Sequence, residues 1–528
     1  MGFVRRIEKF NKEIDTSKKV IIYGAGWAGR TVCAYLMNHK ISVTAFAVTT
    51  QGNTRVQDGL PVYCLDELLN LNRIEDTVII LGVTKVYRHA MEAELEKRGV
   101  CIYTVCSENL FYEMARENRE FTAREAGIHR DKENNGITVG YLSPGYLDSN
   151  YAEQRLIIDK ISGINYLAIP KETADISYII PEYENQMERY RGLEEACYCP
   201  NQYLPEADLI HTFNMVCKTD KPWCASFETV IPRMTGSTQW EKKYFLHLIE
   251  SMKKRNCKAL YALCHNAYEI QRNMLEEALI PPDDLELLMN KTKVLHPPQE
   301  VLITEEAFVK KHETEKVHFI FIGGAFFIKG GREIIETLSE FEDRFDFDLT
   351  LISSLLYDDY FTKTPYEEMV RCRKIIHECS WIDYYESLDN RDVLEKCKKA
   401  TIGLLPSVAD TYGYAVLEMQ AAGCPVVTTN VRAFSETNND LCGWVCRLPV
   451  DKLGFCMEQD SKIWSGILKK ELRRCFEDIF LHPENIREKG RNALGRIRKM
   501  HDPYRYQREL RRVVEEEYGK GINRNTGI

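Results

Sequence analysis

The residues best placed to do chemistry lie in segment 405–427. Two carboxylates stand eight positions apart there, Asp410 and Glu418, around a glycine turn at Gly413 with apolar runs on either side. The turn leads into what reads as a helix, closed by Gly423, and then into a short buried strand. A helix start exposes backbone N–H groups that attract phosphate. Carboxylates beside that start repel phosphate but accept hydrogen bonds from hydroxyls. One small module can therefore hold a sugar and a pyrophosphate together.

Three other places carry candidate residues. Gly323 and Gly324 follow an apolar run, and Lys329 stands just before Gly330-Gly331 at a helix start, eighty-one residues before Asp410. An ammonium there adds a point charge to N-terminal amides and is well placed to meet a diphosphate. Gly24, Gly26 and Gly29 form G-x-G-x-x-G between a strand and a helix, as a dinucleotide loop does. The full fingerprint needs an acid about twenty residues on. No Asp or Glu lies between Gly24 and Asp58, and the second strand ends Ala47-Val48-Thr49-Thr50. These glycines therefore read as packing residues or as a site for another ligand. In the middle of the chain, strands end at Asp208–His211 and at Ala225-Ser226-Phe227-Glu228-Thr229. Strand C-termini of open α/β sheets face the ligand crevice, which makes Glu228 a candidate, while His211 reads as a packed core histidine. Asp358-Asp359 lacks the Asp-x-Asp spacing of a metal loop, so no metal requirement is expected.

The 405–427 element resembles the E-x7-E element of retaining, family 4 type glycosyltransferases, with Pro406-Ser407, Gly413, Ala422-Gly423-Cys424-Pro425-Val426-Val427, Glu436 and Gly443 in register. The resemblance implies that Glu418 bonds the ribose hydroxyls of a nucleotide. Asp410, one methylene shorter than the usual Glu, would contact the donor sugar. Thr411, Tyr412, Gly413 and Tyr414 would present amides to the sugar and the β-phosphate. The loop at Gly323 resembles the pattern in which a glycine, an arginine and a following lysine line the donor phosphates. Lys329 matches the lysine, and Gly324 stands where the arginine belongs. Glu228 lies where relatives carry a polar residue near the reacting sugar. Over roughly residues 137–520 the resemblance implies a GT-B fold and transfer of a sugar from a nucleotide-diphosphate donor to a hydroxyl acceptor, with retained configuration. Asp410, Lys329 and Glu228 would form the catalytic set, with no cofactor beyond the donor. A glycan or lipid-linked acceptor, in surface polysaccharide or glycoconjugate synthesis, fits that activity. The region around Gly24, Gly26 and Gly29, within residues 1–115, resembles the amino-terminal domain of nucleotide-sugar O-acyltransferases, without the Asp those relatives carry at this strand end. Two rivals stay open: an NAD(P)-dependent oxidoreductase using Gly24, Gly26 and Gly29, and a non-catalytic nucleotide-sugar-binding protein, given Gly324 and Asp410.

Several α/β units are needed to position these residues. A chain of 528 residues has room for three or four domains of ~150 residues. Strands alternate with helices throughout, which implies parallel sheets with right-handed crossovers. The expected organisation is a Rossmann-like domain over 1–115, opening with a helix over 1–17, then a charged helical linker over 116–136. An acceptor domain over 137–298 and a donor domain over 299–484 follow. Helices over 485–528 are expected to pack back on the N-terminal half. The alternative for their Arg491, Arg496, Arg498 and Lys499 is a basic face toward a membrane carrying the acceptor. The acids Glu515, Glu516 and Glu517 favour the first.

The net charge of −9 and pI of about 5.9 give no basic field for nucleic acid. The eighteen cysteines lack zinc-site spacing and read as reduced thiols of a cytoplasmic protein. No apolar signal segment or membrane span is read. The oligomeric state is open.

Overall fold

The computed structural model describes residues 2–4, 7–49, 55–71, 73–83, 85–106, 110–111, 114, 118, 137–142, 164–168, 197–198, 207–233, 241–314 and 316–518. The chain divides into two compact units, one of Met1–Asn135 with Pro170–Asp175, the other of Gly136–Ile169 with Ile176–Ile528. The charged linker expected over 116–136 lies outside the described residues except for Asn118.

The first unit is built on seven strands: β1 (Gly2–Val4), β2 (Lys19–Tyr23), β3 (Val43–Val48), β4 (Val56–Gln57), β5 (Leu60–Cys64), β6 (Thr77–Leu81) and β7 (Thr104–Cys106). Their order is β1-β7-β6-β2-β3-β5-β4. All pair parallel except β4, which folds back antiparallel on β5. Helices Trp27–Asn38, Leu65–Leu71 and Lys85–Lys97 link them. Strand β2 shows why both faces need cover. Val20 and Ile22 pack into one buried cluster, Ile21 and Tyr23 into the other, since successive strand side chains point to opposite faces. The opening segment is a strand and then the helix Ile7–Glu13, rather than one helix over 1–17. Gly2-Phe3-Val4 adds to the edge that β7 leaves open, and β-prone Phe and Val suit that edge.

The second unit holds two six-stranded parallel sheets. The first uses β8 (Ile137–Leu142), β9 (Ile164–Ala168), β11 (Leu209–Phe213), β13 (Trp223–Phe227), β14 (Cys257–Ala262) and β15 (Thr292–Val294), in the order β15-β14-β13-β11-β8-β9. Two short strands, β10 (Cys197–Tyr198) and β12 (Val216–Cys217), pair beside it. The second sheet uses β16 (Val317–Ile322), β17 (Phe347–Ile352), β18 (Ile382–Tyr385), β19 (Ile402–Leu405), β20 (Val426–Thr429) and β21 (Gly443–Cys446), in the order β18-β17-β16-β19-β20-β21. The chain order reverses between β16 and β19, and such a switch point opens a crevice beyond the strand C-termini. The loops carrying Lys329 and Asp410 both issue there. The first unit's sheet and these two make a multi-Rossmann-like α/β fold.

Three elements of this half go beyond the expected ones. Strands β18 (Ile382–Tyr385) and β21 (Gly443–Cys446) are two of them. The helix Ser461–Leu481 hides its buried stripe of Trp464, Leu468, Leu472, Cys475, Phe476 and Ile479 among Lys469, Lys470, Glu471, Arg473 and Arg474. Its Phe476 ring meets Phe319 of β16 edge-on, centroids 5.6 Å apart. Helices Glu484–Met500 and Pro503–Tyr518 follow. They reach the first half of the unit through His501, whose Nδ1 lies 2.8 Å from the Pro297 carbonyl, and through an ion pair from Lys293 to Glu509 at 3.3 Å. Among the described residues no helix is long and apolar enough to cross a membrane, and every described cysteine is a free thiol.

Candidate active site

The site begins where β16 and β19 end side by side. Val408 N donates to the Ile328 carbonyl at 2.9 Å, and the backbone of Gly323 is fixed by its N–H to the Ile352 carbonyl at 3.0 Å. Gly323 is glycine for a steric reason: a Cβ there would overlap the Cδ of Lys329. The lysine stem therefore lies across the loop. Its ammonium reaches Asp410, Nζ to Oδ2 3.2 Å, with side chains 24% and 11% exposed. Gly330, at φ 77°, sits in the left-handed region and caps the helix Gly331–Leu338, where glycine avoids the Cβ penalty.

Asp410 has a second role. Its Oδ1 accepts from Tyr412 N at 3.2 Å, a local turn that Asp favours. Gly413, at φ 78°, then caps the helix Tyr414–Ala421. The ring of Phe434 fills the space a side chain at Gly413 would take, so the turn is held against the loop that follows β20. Gly413, Tyr414 and Ala415 of this helix start line the same pocket as Lys329.

The facing wall comes from the first half. Glu228 follows β13. Its N–H donates to Asn214 Oδ1 at 3.0 Å, and its carboxylate lies 3.4 Å from Arg233 Nη1. Burial raises the Glu228 carboxyl above its ordinary range, with Arg233 pulling the other way. A cavity of about 540 Å³ is bounded by Glu228 and Phe213 on one side and by Gly323, Gly324, Lys329, Asp410, Thr411, Gly413 and Tyr414 on the other. That size suits a nucleotide-sized ligand.

Other candidates fall elsewhere. Tyr412 is wholly buried, its hydroxyl 3.4 Å from His296 Nδ1. Glu418 is on the capped helix but only 3% exposed and does not line the cavity. His211 is buried with Nε2 2.8 Å from Ser226 Oγ, and burial pulls its imidazole down to about 4, which keeps it neutral. Gly324 is nearly open, since an added Cβ would meet only Ser354 Oγ, at 3.2 Å. Packing therefore does not explain the glycine at the arginine's place. In the first unit, Gly24 takes φ 116° and a Cβ on Gly29 would overlap the Gly24 carbonyl, while Gly26 faces open space. Among the described residues no three His, Cys, Asp or Glu side chains gather as a metal ion would need.

Sequence reading missed four contributors. Ser353, Ser354 and Glu386 line the cavity; all three follow strand ends, a signal that was available for β17 but not for the unforeseen β18. The fourth is the segment after β20, with its short helix Phe434–Thr437, which crosses to the first half. Its Glu436 carboxylate accepts from His265 N at 2.8 Å and Asn266 N at 2.6 Å, at the start of helix His265–Glu277. Charge at that end suits the helix dipole. Its Arg432 donates from Nη2 to Thr229 Oγ1 at 2.6 Å.

Fold and site together define a multi-Rossmann-like α/β protein with a pocket at a topological switch point. Residues 316–452 match the family described as glycosyl transferases group 1. No curated protein sequence matches the chain. Solved structures similar to it include Anabaena Alr3699/HepE in complex with UDP and glucose, 10% identical over 94% of this chain and 100% of that one, with a TM-score of 0.42. A glycosyltransferase from Rickettsia africae is 12% identical over 96% and 100%, TM-score 0.42. WaaG, a glycosyltransferase involved in lipopolysaccharide biosynthesis, is 15% identical over 70% and 98%, TM-score 0.41.

Proposed function

We propose that the second unit is a retaining glycosyltransferase that moves a sugar from a nucleotide-diphosphate donor to a hydroxyl of a glycan or lipid-linked acceptor, in surface polysaccharide or glycoconjugate synthesis. The observation that carries this reading is the meeting of Lys329, Asp410 and the helix start at Gly413 and Tyr414 in one cavity, faced by Glu228 from the opposite half. The diphosphate lies against the amides at Gly413 and Tyr414 and against Lys329. Asp410 and Glu228 border the sugar, and Glu418 stands below on the same helix.

In the reaction the bond from the sugar's anomeric carbon to the β-phosphate oxygen breaks, and a bond to the acceptor oxygen forms. Attack comes from the face the leaving group departs, and the acceptor's proton passes to a phosphate oxygen. Lys329 and the helix amides are already aimed where the departing charge grows, so no reorganisation is needed at that moment. The match to group 1 glycosyltransferases over the donor half supports the donor class. Charge neutralisation falls to Lys329 and the amides, so chelation should leave turnover unchanged.

A thermal-shift panel of UDP-, GDP-, ADP- and CMP-sugars tests the reading. At least one diphosphate sugar should raise the melting temperature, and Lys329→Ala and Glu418→Ala should diminish that shift. Shifts untouched by both substitutions would place the donor elsewhere. Product NMR then reads the anomeric outcome, and inversion would overturn the retaining assignment.

A further inference from the structure

Two of the cations at the cleft are spoken for. Lys329 pairs with Asp410 and Arg233 with Glu228. Arg432 pairs with no carboxylate among the described residues, yet it is only 8% exposed. Its guanidinium lies 5.0 Å from the Phe455 ring centroid. Of its five N–H groups, Thr229 takes one, and its Nε is shielded from solvent with no hydrogen-bond partner. A buried guanidinium with unfilled donors is costly unless an anion completes it. Its backbone adds to that cost, at φ 43° in the left-handed region for a non-glycine residue, and strain of this kind gathers at functional sites.

The place of Arg432 points to which anion. It follows β20, which pairs with β19, so its loop adjoins the one holding Asp410. Phe434, two residues on, packs under Gly413, the residue that opens the phosphate-facing helix start. The hydrogen bond ties the guanidinium to Thr229, the residue next to Glu228, which lines the cavity. The charges of Asp410 and Glu228 both act on it.

We propose that Arg432 is a further donor-site residue, whose guanidinium takes an oxygen of the nucleoside diphosphate and supplies the positive charge that the Lys329–Asp410 pair leaves short. This rests on the transferase reading above. It also gives the open Gly324 position a physical sense: a cation brought by the β20 loop makes one at Gly324 unnecessary. Because Arg432 also bonds Thr229 of the opposite half, donor binding and the alignment of the two walls act through one side chain.

The test is calorimetric titration of the full chain with UDP, GDP and ADP and with the matching monophosphates. For the diphosphate that binds wild type, Arg432→Gln should weaken affinity about tenfold, as loss of a charge-assisted hydrogen bond does. The monophosphate should change by less than about twofold, and Arg432→Lys should recover part of the loss. Thr229→Val, which removes the hydrogen bond and keeps the charge, should retain diphosphate affinity. Diphosphate affinity unchanged in Arg432→Gln, with Lys329→Ala weakening it, would overturn this proposal and leave the transferase reading standing. So would an Arg432→Gln effect confined to acceptor KM. If no nucleoside diphosphate binds wild type, the donor site itself is wrong and the proposal falls with it. Arg432→Lys, which keeps the charge and nearly the bulk, reads the effect if the Gln variant fails to fold.

Discussion

The two glycine-rich loops of this chain look alike in sequence and do opposite things. Both follow the first buried strand of a sheet and both open a helix. In the loop at Gly24 the glycines let backbone meet backbone: Gly29 lies against the Gly24 carbonyl and against Gly82. In the loop at Gly323 the missing side chain makes room for a charged one, since the Lys329 stem occupies that space. Glycine spacing reports only that something comes close. The identity of what comes close, a carbonyl or an ammonium, separates a packing loop from a charged one.

The strongest way to break this comparison is to remove the ammonium. Lys329→Ala should lower kcat/KM for transfer by about 10²–10³, the range for loss of one preorganised group at a developing charge. It should also free Asp410 Oδ2 from its 3.2 Å partner. A steady-state assay with the responding donor checks it, and activity within threefold of wild type would return the Gly323 loop to the packing class.

A paired glycine substitution sharpens the contrast. Gly29→Ala sets a Cβ against a backbone carbonyl that has little freedom to move, and should destabilise the first unit by about 1–3 kcal/mol. Gly323→Ala displaces a flexible side chain instead, so the fold should hold within about 0.5 kcal/mol while donor affinity falls. Calorimetry reads the first, nucleotide titration the second. If Gly323→Ala melts the protein and Gly29→Ala costs only ligand affinity, the assignments are reversed.

Acid offers a third probe, directed at the unit that carries the charged loop. His211, His296 and His312 are all pulled down to about 4 from an ordinary 6.5, chiefly by burial. A base depressed in the fold stabilises above its unfolded pKa and loses that contribution as pH falls. The window is therefore pH 6.5 down to 4, with a slope of about 1.4 kcal/mol per pH unit for each histidine. His312 lies against the helix-closing Gly423, Nε2 3.2 Å from its carbonyl, so His312→Gln should flatten the slope of the donor-shifted melting transition. An unchanged slope would mean that this histidine stays accessible to protons in the fold.

What could be read from sequence follows the same division. The strands β2, β3, β6, β16, β17, β19 and β20 were legible because each is a dense apolar run. The glycine loops were legible by spacing, and the helix start after Asp410 by its turn chemistry. Contacts between remote segments were not. Nothing in the string says that Lys329 folds onto Asp410, that Glu436 caps a helix 170 residues earlier, or that Arg432 is buried. Each depends on which loops the switch point between β16 and β19 brings together. Glu418 shows the limit from the other side: its helix position was readable, but its burial to 3% exposure comes from packing in three dimensions.

The smallest expected effect is at Gly324, and it tests whether the two glycines of one loop have separate duties. A Cβ at Gly323 has nowhere to go without moving Lys329, whereas one at Gly324 meets only a serine hydroxyl that can rotate away. The Gly324 carbonyl, not its α-carbon, holds the loop, accepting from Leu356 N at 3.0 Å and Phe326 N at 2.9 Å, and those bonds survive a side chain. Gly324→Ala should therefore change stability by less than about 0.5 kcal/mol and leave nucleoside diphosphate affinity within about twofold. A loss as large as that of Gly323→Ala would show that the ligand itself presses on Gly324. The donor phosphates would then run directly over this α-carbon, and close approach rather than absent charge would be the reason no arginine stands there.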